Sequence, residues 1–97
     1  MIKGLEYQAG NGEFSYMPVM FDKGAWIPCD GAYDVFDMFH AMVHGNSAKL
    51  EQMLADWDDV ALNQVLPKLA EGEPGEIVSR NVHGVSFTFR ATTSDGQ

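Results

Sequence analysis

The hydrophobic residues of this chain change their spacing twice. Near both ends they alternate with polar residues, as in a strand with one buried face, whereas in the middle they recur every three or four positions, as on one side of a helix. No linker or repeat separates the three zones, so we expect a single domain over residues 1–97. An order of strands, helices and strands predicts an α+β fold.

The N-terminal zone predicts three strands, at about 2–7, 13–22 and 25–27, separated by glycine-containing turns. Both sides of the second segment are apolar, so we expect both to be covered. Pro18 lies inside it and has no backbone N–H, which predicts an edge strand or a bulge.

The middle zone predicts two or three helices. The first spans about 32–44 and ends at Gly45. Asn46 or Ser47 would cap the second helix. The expected apolar faces are Val35, Phe36, Phe39, Met42 and Val43 on the first helix, and Leu50, Met53, Leu54 and Trp57 on the second.

A third helix is predicted to follow, capped by Asp58 or Asp59, with Leu62, Val65, Leu66 and Leu69 as its apolar face. Pro67 lies within this pattern and predicts a kink or a restart of the helix.

The C-terminal zone predicts a β-hairpin. Segments 77–81 and 85–92 flank Val82-His83-Gly84, and Val85, Phe87 and Phe89 alternate with polar residues. The N-terminal strands and this hairpin would form an antiparallel sheet of four or five strands, with the two or three central helices packed on one side.

The negative charge is confined to the helical zone. The chain has a net charge of −8, and residues 30–76 carry ten Asp and Glu residues against Lys49 and Lys68, while the charges elsewhere cancel. This charge argues against direct binding to nucleic acid or to an anionic membrane, because both require basic side chains. It permits a basic protein partner.

Carboxylates three or four residues apart on a helix lie about 5–6 Å from each other, a scale comparable to phosphates spaced about 3.4 Å per strand along the DNA axis. An acidic helical face therefore suits a basic groove. Taken singly, each of these acidic residues is also explained by helix capping or by its contribution to solubility. We expect partner contacts at Asp30, Tyr33, Asp34, Asp37, Glu51, Asp56, Asp58, Asp59, Glu71 and Glu73.

Catalytic and metal-binding patterns are weak. Asp37, His40 and His44 share the polar side of the first helix, but H-x-x-x-H without the glutamate of H-E-x-x-H is a poor zinc signal, and pairing of Asp37 with His40 explains it more simply. Cys29 has no histidine partner in a catalytic arrangement and is expected to be a small buried thiol. We predict no enzyme, no cofactor and no metal.

The main distinguishing feature of this small α+β chain is its three acidic stretches, at 30–37, 51–59 and 71–76. As a type, without a shared motif, it resembles small phage and mobile-element inhibitor proteins, including anti-CRISPR proteins and other DNA mimics. The resemblance implies a stoichiometric inhibitor that occupies the Lys/Arg-lined nucleic-acid groove of a host defence complex, with an RNA-guided surveillance complex as its target.

A different class of function is a protein–protein adaptor, such as an immunity protein, an antitoxin or a phage assembly factor. It would use the apolar β surface around Tyr16, Met17, Phe21 and Trp26. The chain begins without a signal-peptide pattern and has a single cysteine, so we expect a cytoplasmic protein, in the host cytoplasm if it is phage-encoded.

Overall fold

A five-stranded antiparallel sheet and two helices form the α+β fold predicted from the sequence, in a computed structural model that describes residues 2–29 and 34–93. The strands lie in the order β3-β2-β1-β5-β4. They span Gly4–Ala9 (β1), Ser15–Asp22 (β2), Ala25–Pro28 (β3), Ile77–Val82 (β4) and Val85–Thr92 (β5). Among the described residues, no helix is long and apolar enough to cross a membrane.

Two tight turns join the hairpin strands, as the sequence predicts. Lys23 and Gly24 connect β2 to β3 with φ angles of 52° and 81°, and His83 and Gly84 connect β4 to β5 with 50° and 83°. Two successive positive φ values give the turn whose twist matches that of the strands. The glycine at the second position accepts this conformation without steric cost.

Pro18 does not mark an edge strand, since β2 lies between β3 and β1. It lies where β2 changes its partner: residues up to Pro18 pair with β1, and residues from Val19 onward pair with β3. The Pro18 carbonyl accepts a hydrogen bond of 2.9 Å from the backbone N–H of Cys29, just after β3 ends. The missing N–H therefore falls at the end of the β2–β3 ladder, while hydrogen bonding on the β1 side continues past Pro18, since the backbone N–H of Val19 donates to the carbonyl of Lys3 at 3.0 Å.

Only one side of β2 is covered. Met17 and Val19 are buried in the core, whereas Met20 on the opposite side is 46% exposed. The expectation that both sides are covered is wrong, because the helices pack on one face of the sheet and leave the other to solvent. We call this second surface the uncovered sheet face.

The first helix, α1, spans Asp34–Val43. It ends before Gly45, which has a φ of 88°, as predicted. Its apolar face is narrower than the sequence indicates: Val35 and Phe39 are buried, while Phe36 and Met42 are exposed. Phe39 meets Phe87 of the sheet edge to face, with ring centroids 6.2 Å apart, so α1 packs through a narrow stripe around Phe39.

The second helix, α2, spans Ser47–Asp58 and has the predicted cap. The side-chain oxygen of Asn46 accepts a hydrogen bond of 3.1 Å from the backbone N–H of Lys49. This bond satisfies one of the donors that a helix start leaves without an internal partner.

The predicted third cap at Asp58 or Asp59 is wrong. Both residues have helical backbone angles, and the helix continues through a π-helical segment, Asp59–Val65, into α3, Leu66–Glu71. The backbone N–H of Leu66 donates to the carbonyl of Ala61, five residues back. A regular turn would press the ring of Pro67 against the carbonyl four residues earlier. The wider turns come before it, so Pro67 starts α3 without breaking the helix.

Trp57 holds the joined helix on the sheet. It is fully buried, and its ring centroid lies 4.8 Å from that of Tyr7, 6.0 Å from Phe87 and 5.9 Å from Phe89. These partners belong to β1 and β5, which lie side by side in the sheet. One indole from α2 therefore joins the helices to the centre of the sheet.

Candidate functional site

The predicted acidic residues lie mainly on the helices, whose outer surface we call the acidic helical layer (residues 34–71). Asp37, Glu51, Asp59 and Glu71 are exposed there, and Glu73 is exposed in the turn that follows α3. Asp30 and Tyr33 lie outside the described residues, and Asp34 begins α1 with a side chain that is also outside the description.

Asp56 contacts a residue that no sequence pattern places beside it. Its carboxylate lies 2.6 Å from Nε2 of His83, in the turn between β4 and β5, and accepts a hydrogen bond of 2.8 Å from Gln52. The bond with His83, followed by that with Gln52, lowers the pKa of Asp56 below its ordinary value. Asp56 thus contacts the sheet as well as facing solvent. The two residues are 27 positions apart, and no local pattern links them.

Asp59 accepts hydrogen bonds from two neutral side chains. Asn63 donates to one carboxylate oxygen at 2.9 Å, and Gln64 donates to the other at 3.2 Å. The i+5 contact with Gln64 is made within the π-helical segment. These amides orient the carboxylate without supplying a positive charge.

Asp58 has a different environment from its neighbours. It is half-buried, and removal from water raises its pKa. Residues two positions apart on a helix point about 200° away from each other, so Asp58 and Asp56 lie on opposite flanks of α2. Asp56 and Asp58 therefore do not lie on one acidic face, although they are close in sequence.

The two arginines make their contacts on the sheet. Arg90 donates to Glu6 at 2.9 Å, and its guanidinium carbon lies 3.7 Å from the centre of the Phe14 ring. Arg80 donates to the carbonyl of Ser79 at 2.8 Å. Within residues 2–29 and 34–93, neither arginine forms a salt bridge with a carboxylate of the acidic helical layer.

The apolar surface proposed for an adaptor is only partly present. Met17 and Trp26 are buried, and the ring of Tyr16 lies directly over Gly4. Phe21 is exposed, as expected of a contact residue. The sequence did not single out Met20 and Ile27, which are cross-strand partners, and both are exposed on the uncovered sheet face.

His44 and Cys29 lie in positions that differ from those expected from the sequence. No group of three or more His, Cys, Asp and Glu side chains in the described part of the chain is arranged to hold a metal ion. His44 follows the end of α1 with a φ of 50°, so it is not on that helix. Cys29 is exposed rather than buried, because it follows the last residue of β3.

Comparisons of the chain with protein-family models, curated proteins and solved structures found no match.

Proposed function

We propose that the protein is a non-catalytic inhibitor whose acidic helical layer binds a basic protein surface of the kind that holds a DNA or RNA backbone. The observation that carries this proposal is the separation of charge between the two layers of the fold. Residues 30–76, which include every helix, hold ten carboxylates against two lysines, whereas the remaining charges, which lie mainly on the strands and their turns, cancel.

The environment of the helical carboxylates favours this proposal. Asp59 is oriented by two neutral amides, and Asp37 and Glu51 are exposed. Within residues 2–29 and 34–93 none of the three forms a salt bridge, so these groups present negative charge to solvent. Lysine and arginine side chains of a partner would compensate this charge. We expect binding to weaken as salt concentration rises, mainly through a slower association rate.

The class of target follows from the resemblance to phage and mobile-element inhibitors. We propose an RNA-guided surveillance complex of a host defence system, whose nucleic-acid groove is lined by Lys and Arg, and the host cytoplasm as the place of action. The inhibitor would occupy this groove stoichiometrically and keep the target duplex out.

The test is displacement of a labelled DNA duplex from a purified RNA-guided surveillance complex. Asp37→Lys together with Glu51→Lys reverses two exposed charges on the acidic helical layer. Glu13→Lys together with Asp22→Lys makes the same change in net charge at two exposed positions on the β portion. We expect the first variant to lose displacement about tenfold or more, since each lost contact between desolvated charges costs about 1.5 kcal/mol or more. The second should retain it.

Equal loss in both double variants would show that only net charge matters, and full displacement by the first variant would contradict the proposal. So would simultaneous binding of the duplex and the protein to the same complex. Circular dichroism spectra of both variants should match the wild type.

A second candidate function is a protein–protein adaptor, and the uncovered sheet face favours it. Met20 and Ile27 lie side by side there and are 46% and 38% exposed. Replacing both with serine should abolish partner capture if the adaptor function is correct. The same change should leave duplex displacement unaltered if the inhibitor function is correct.

A further inference from the structure

A cavity of about 540 Å³ opens between the β2–β3 hairpin, the end of α3 and the loop that follows it. Its lining is mainly apolar. Ile2, Leu69 and Ala91 contribute aliphatic surface, and Phe21 and Trp26 contribute aromatic surface. No motif predicts this cavity, because its residues come from both ends of the chain and from the middle.

Two aromatic rings form one wall. Phe21 and Trp26 are cross-strand partners, with ring centroids 5.0 Å apart and planes inclined by 59°. Trp26 is 9% exposed, whereas Phe21 is 56% exposed. The buried Trp26 ring therefore lies beside a Phe21 ring that a ligand can reach. A second cavity, of about 490 Å³, is lined by the same two rings.

Three glutamates are among the residues that line the two cavities. Glu73 and Glu76 line the first cavity and Glu71 lines the second. The carboxylate of Glu76 lies so close to the α-carbon of Gly72 that a β-carbon there would overlap it, and this contact fixes its place in the lining. Among the described residues, none of the three glutamates forms a salt bridge.

This combination selects a ligand that is both apolar and cationic. An uncharged aliphatic side chain would fill the cavity but leave the carboxylates without a partner, and an anion would be repelled by them. An arginine has an aliphatic stem, a planar guanidinium that stacks on aromatic rings, and five N–H donors that suit carboxylates.

We propose that the Phe21–Trp26 cavity binds an arginine side chain from the basic partner. The inference rests on the proposed function, because it identifies one contact between the protein and the basic surface of its partner. Charge complementarity between the guanidinium and Glu73 and Glu76 fixes the orientation of the side chain, and the aromatic wall supplies a cation–π contact.

The probes for the experiment are the blocked peptides Ac-Ala-Arg-Ala-NH2 and Ac-Ala-citrulline-Ala-NH2, which have nearly the same shape but differ in charge. Binding is followed by the NMR signals of the two indole N–H groups. Trp26 lines the cavity and Trp57 is fully buried in the core, so the protein contains its own reference. We expect the arginine peptide to shift the Trp26 signal saturably and to leave Trp57 unchanged.

Isosteric variants test the role of the carboxylates. Glu73→Gln together with Glu76→Gln should weaken the arginine peptide about tenfold, because a hydrogen bond to a charged group contributes roughly a factor of ten or more in affinity. Glu13→Gln, at an exposed position between β1 and β2 that does not line the cavity, is the matched control and should leave the affinity unchanged.

Equal binding of the two peptides would overturn the inference, since the cavity would then recognise shape alone. An equal effect of Glu13→Gln and of the double variant would do the same. Self-association of the protein that Phe21→Ser abolishes, together with no shift by either peptide, would show that a second copy occupies the cavity.

The two proposals fail separately. Duplex displacement without any arginine-peptide binding would overturn the cavity assignment and leave the inhibitor function standing. Arginine-peptide binding without duplex displacement would overturn the inhibitor function alone.

Discussion

The acidic helical layer and the uncovered sheet face present different chemistry to a partner. The helical layer exposes carboxylates such as Asp37 and Glu51, whereas the sheet face exposes apolar side chains such as Met20 and Ile27. On the sheet, Arg90 is already matched with Glu6, so that surface carries little uncompensated charge. The exposed carboxylates and the exposed apolar side chains therefore lie on opposite sides of the fold.

The largest loss of stability should come from removing Trp57, the residue that joins the two layers. Trp57→Ala should lower the free energy of unfolding by about 3–5 kcal/mol, the range for loss of a large buried aromatic side chain. The indole contacts Tyr7, Phe87 and Phe89, so both layers should lose their packing together. Urea denaturation measures the change.

Phe36→Ala is the matched control, because Phe36 is an exposed aromatic residue of α1. Its free energy of unfolding should fall by about 1 kcal/mol, clearly less than for Trp57→Ala, since Phe36 is 44% exposed whereas Trp57 is fully buried. A similar loss in the two variants would mean that Trp57 does not join the layers.

A smaller effect should be restricted to the sheet. The ring of Tyr16 lies on Gly4, where a β-carbon would overlap it, so Gly4→Ala must displace the ring. We expect a loss of about 1–3 kcal/mol in the free energy of unfolding, as for overpacking of a filled site. Chemical denaturation checks the stability, and duplex displacement checks that the helical layer is unaffected.

The Tyr16→Ser background provides the control for Gly4→Ala. Without the Tyr16 ring, the β-carbon has room, and Gly4→Ala should lower the free energy of unfolding much less. An equal cost in both backgrounds would show that the contact with Tyr16 is not the reason for glycine at this position.

The smallest effects on the free energy of unfolding should come from two carboxylates within the helical layer, and these effects should have opposite signs. The pKa of Asp56 is lowered by its bond to His83, so its ionised form stabilises the fold at neutral pH, and this contribution is lost as the pH falls below 3.8 and through the folded pKa. The pKa of Asp58 is raised by burial, so its ionised form opposes folding at neutral pH, and the penalty disappears as the pH falls through the raised pKa towards 3.8.

Denaturation of Asp56→Asn and Asp58→Asn at a series of pH values measures both contributions. At neutral pH the first variant should be less stable than the wild type and the second more stable, and both differences should shrink in acid. Changes of the same sign at neutral pH would refute the assignment of the two flanks.

The fold was predictable because its local signals agree. Alternation in the strands, the turns at Gly24 and Gly84 and the cap at Asn46 each depend on residues close together in sequence. The π-helical segment was not predictable in the same way. Asp58 and Asp59 match a helix cap as well as a helix interior, and packing of Trp57, Ala61 and Val65 in the core decides between them.

The site was less predictable than the fold. Sequence reasoning found the acidic zone, because charge can be counted along a chain. It could not find the bond between Asp56 and His83, or the cavity beside Phe21, since both depend on segments brought together only by the tertiary structure. It also placed Met17 and Trp26 at the surface, because an apolar strand does not show which of its sides the helices will cover.

The position of β1 in the sheet has a consequence for the order in which the protein can fold. β1 lies between β2 and β5, so β1 is completed by a strand more than seventy-five residues later in the chain, and Glu6 pairs with Arg90. Until β5 is synthesised, one edge of β1 has no neighbour to hydrogen-bond. Contacts between such distant residues slow folding, because a long loop must close before they form. We therefore expect the native sheet to assemble only after residue 92 has emerged, so that folding is completed after translation of the domain.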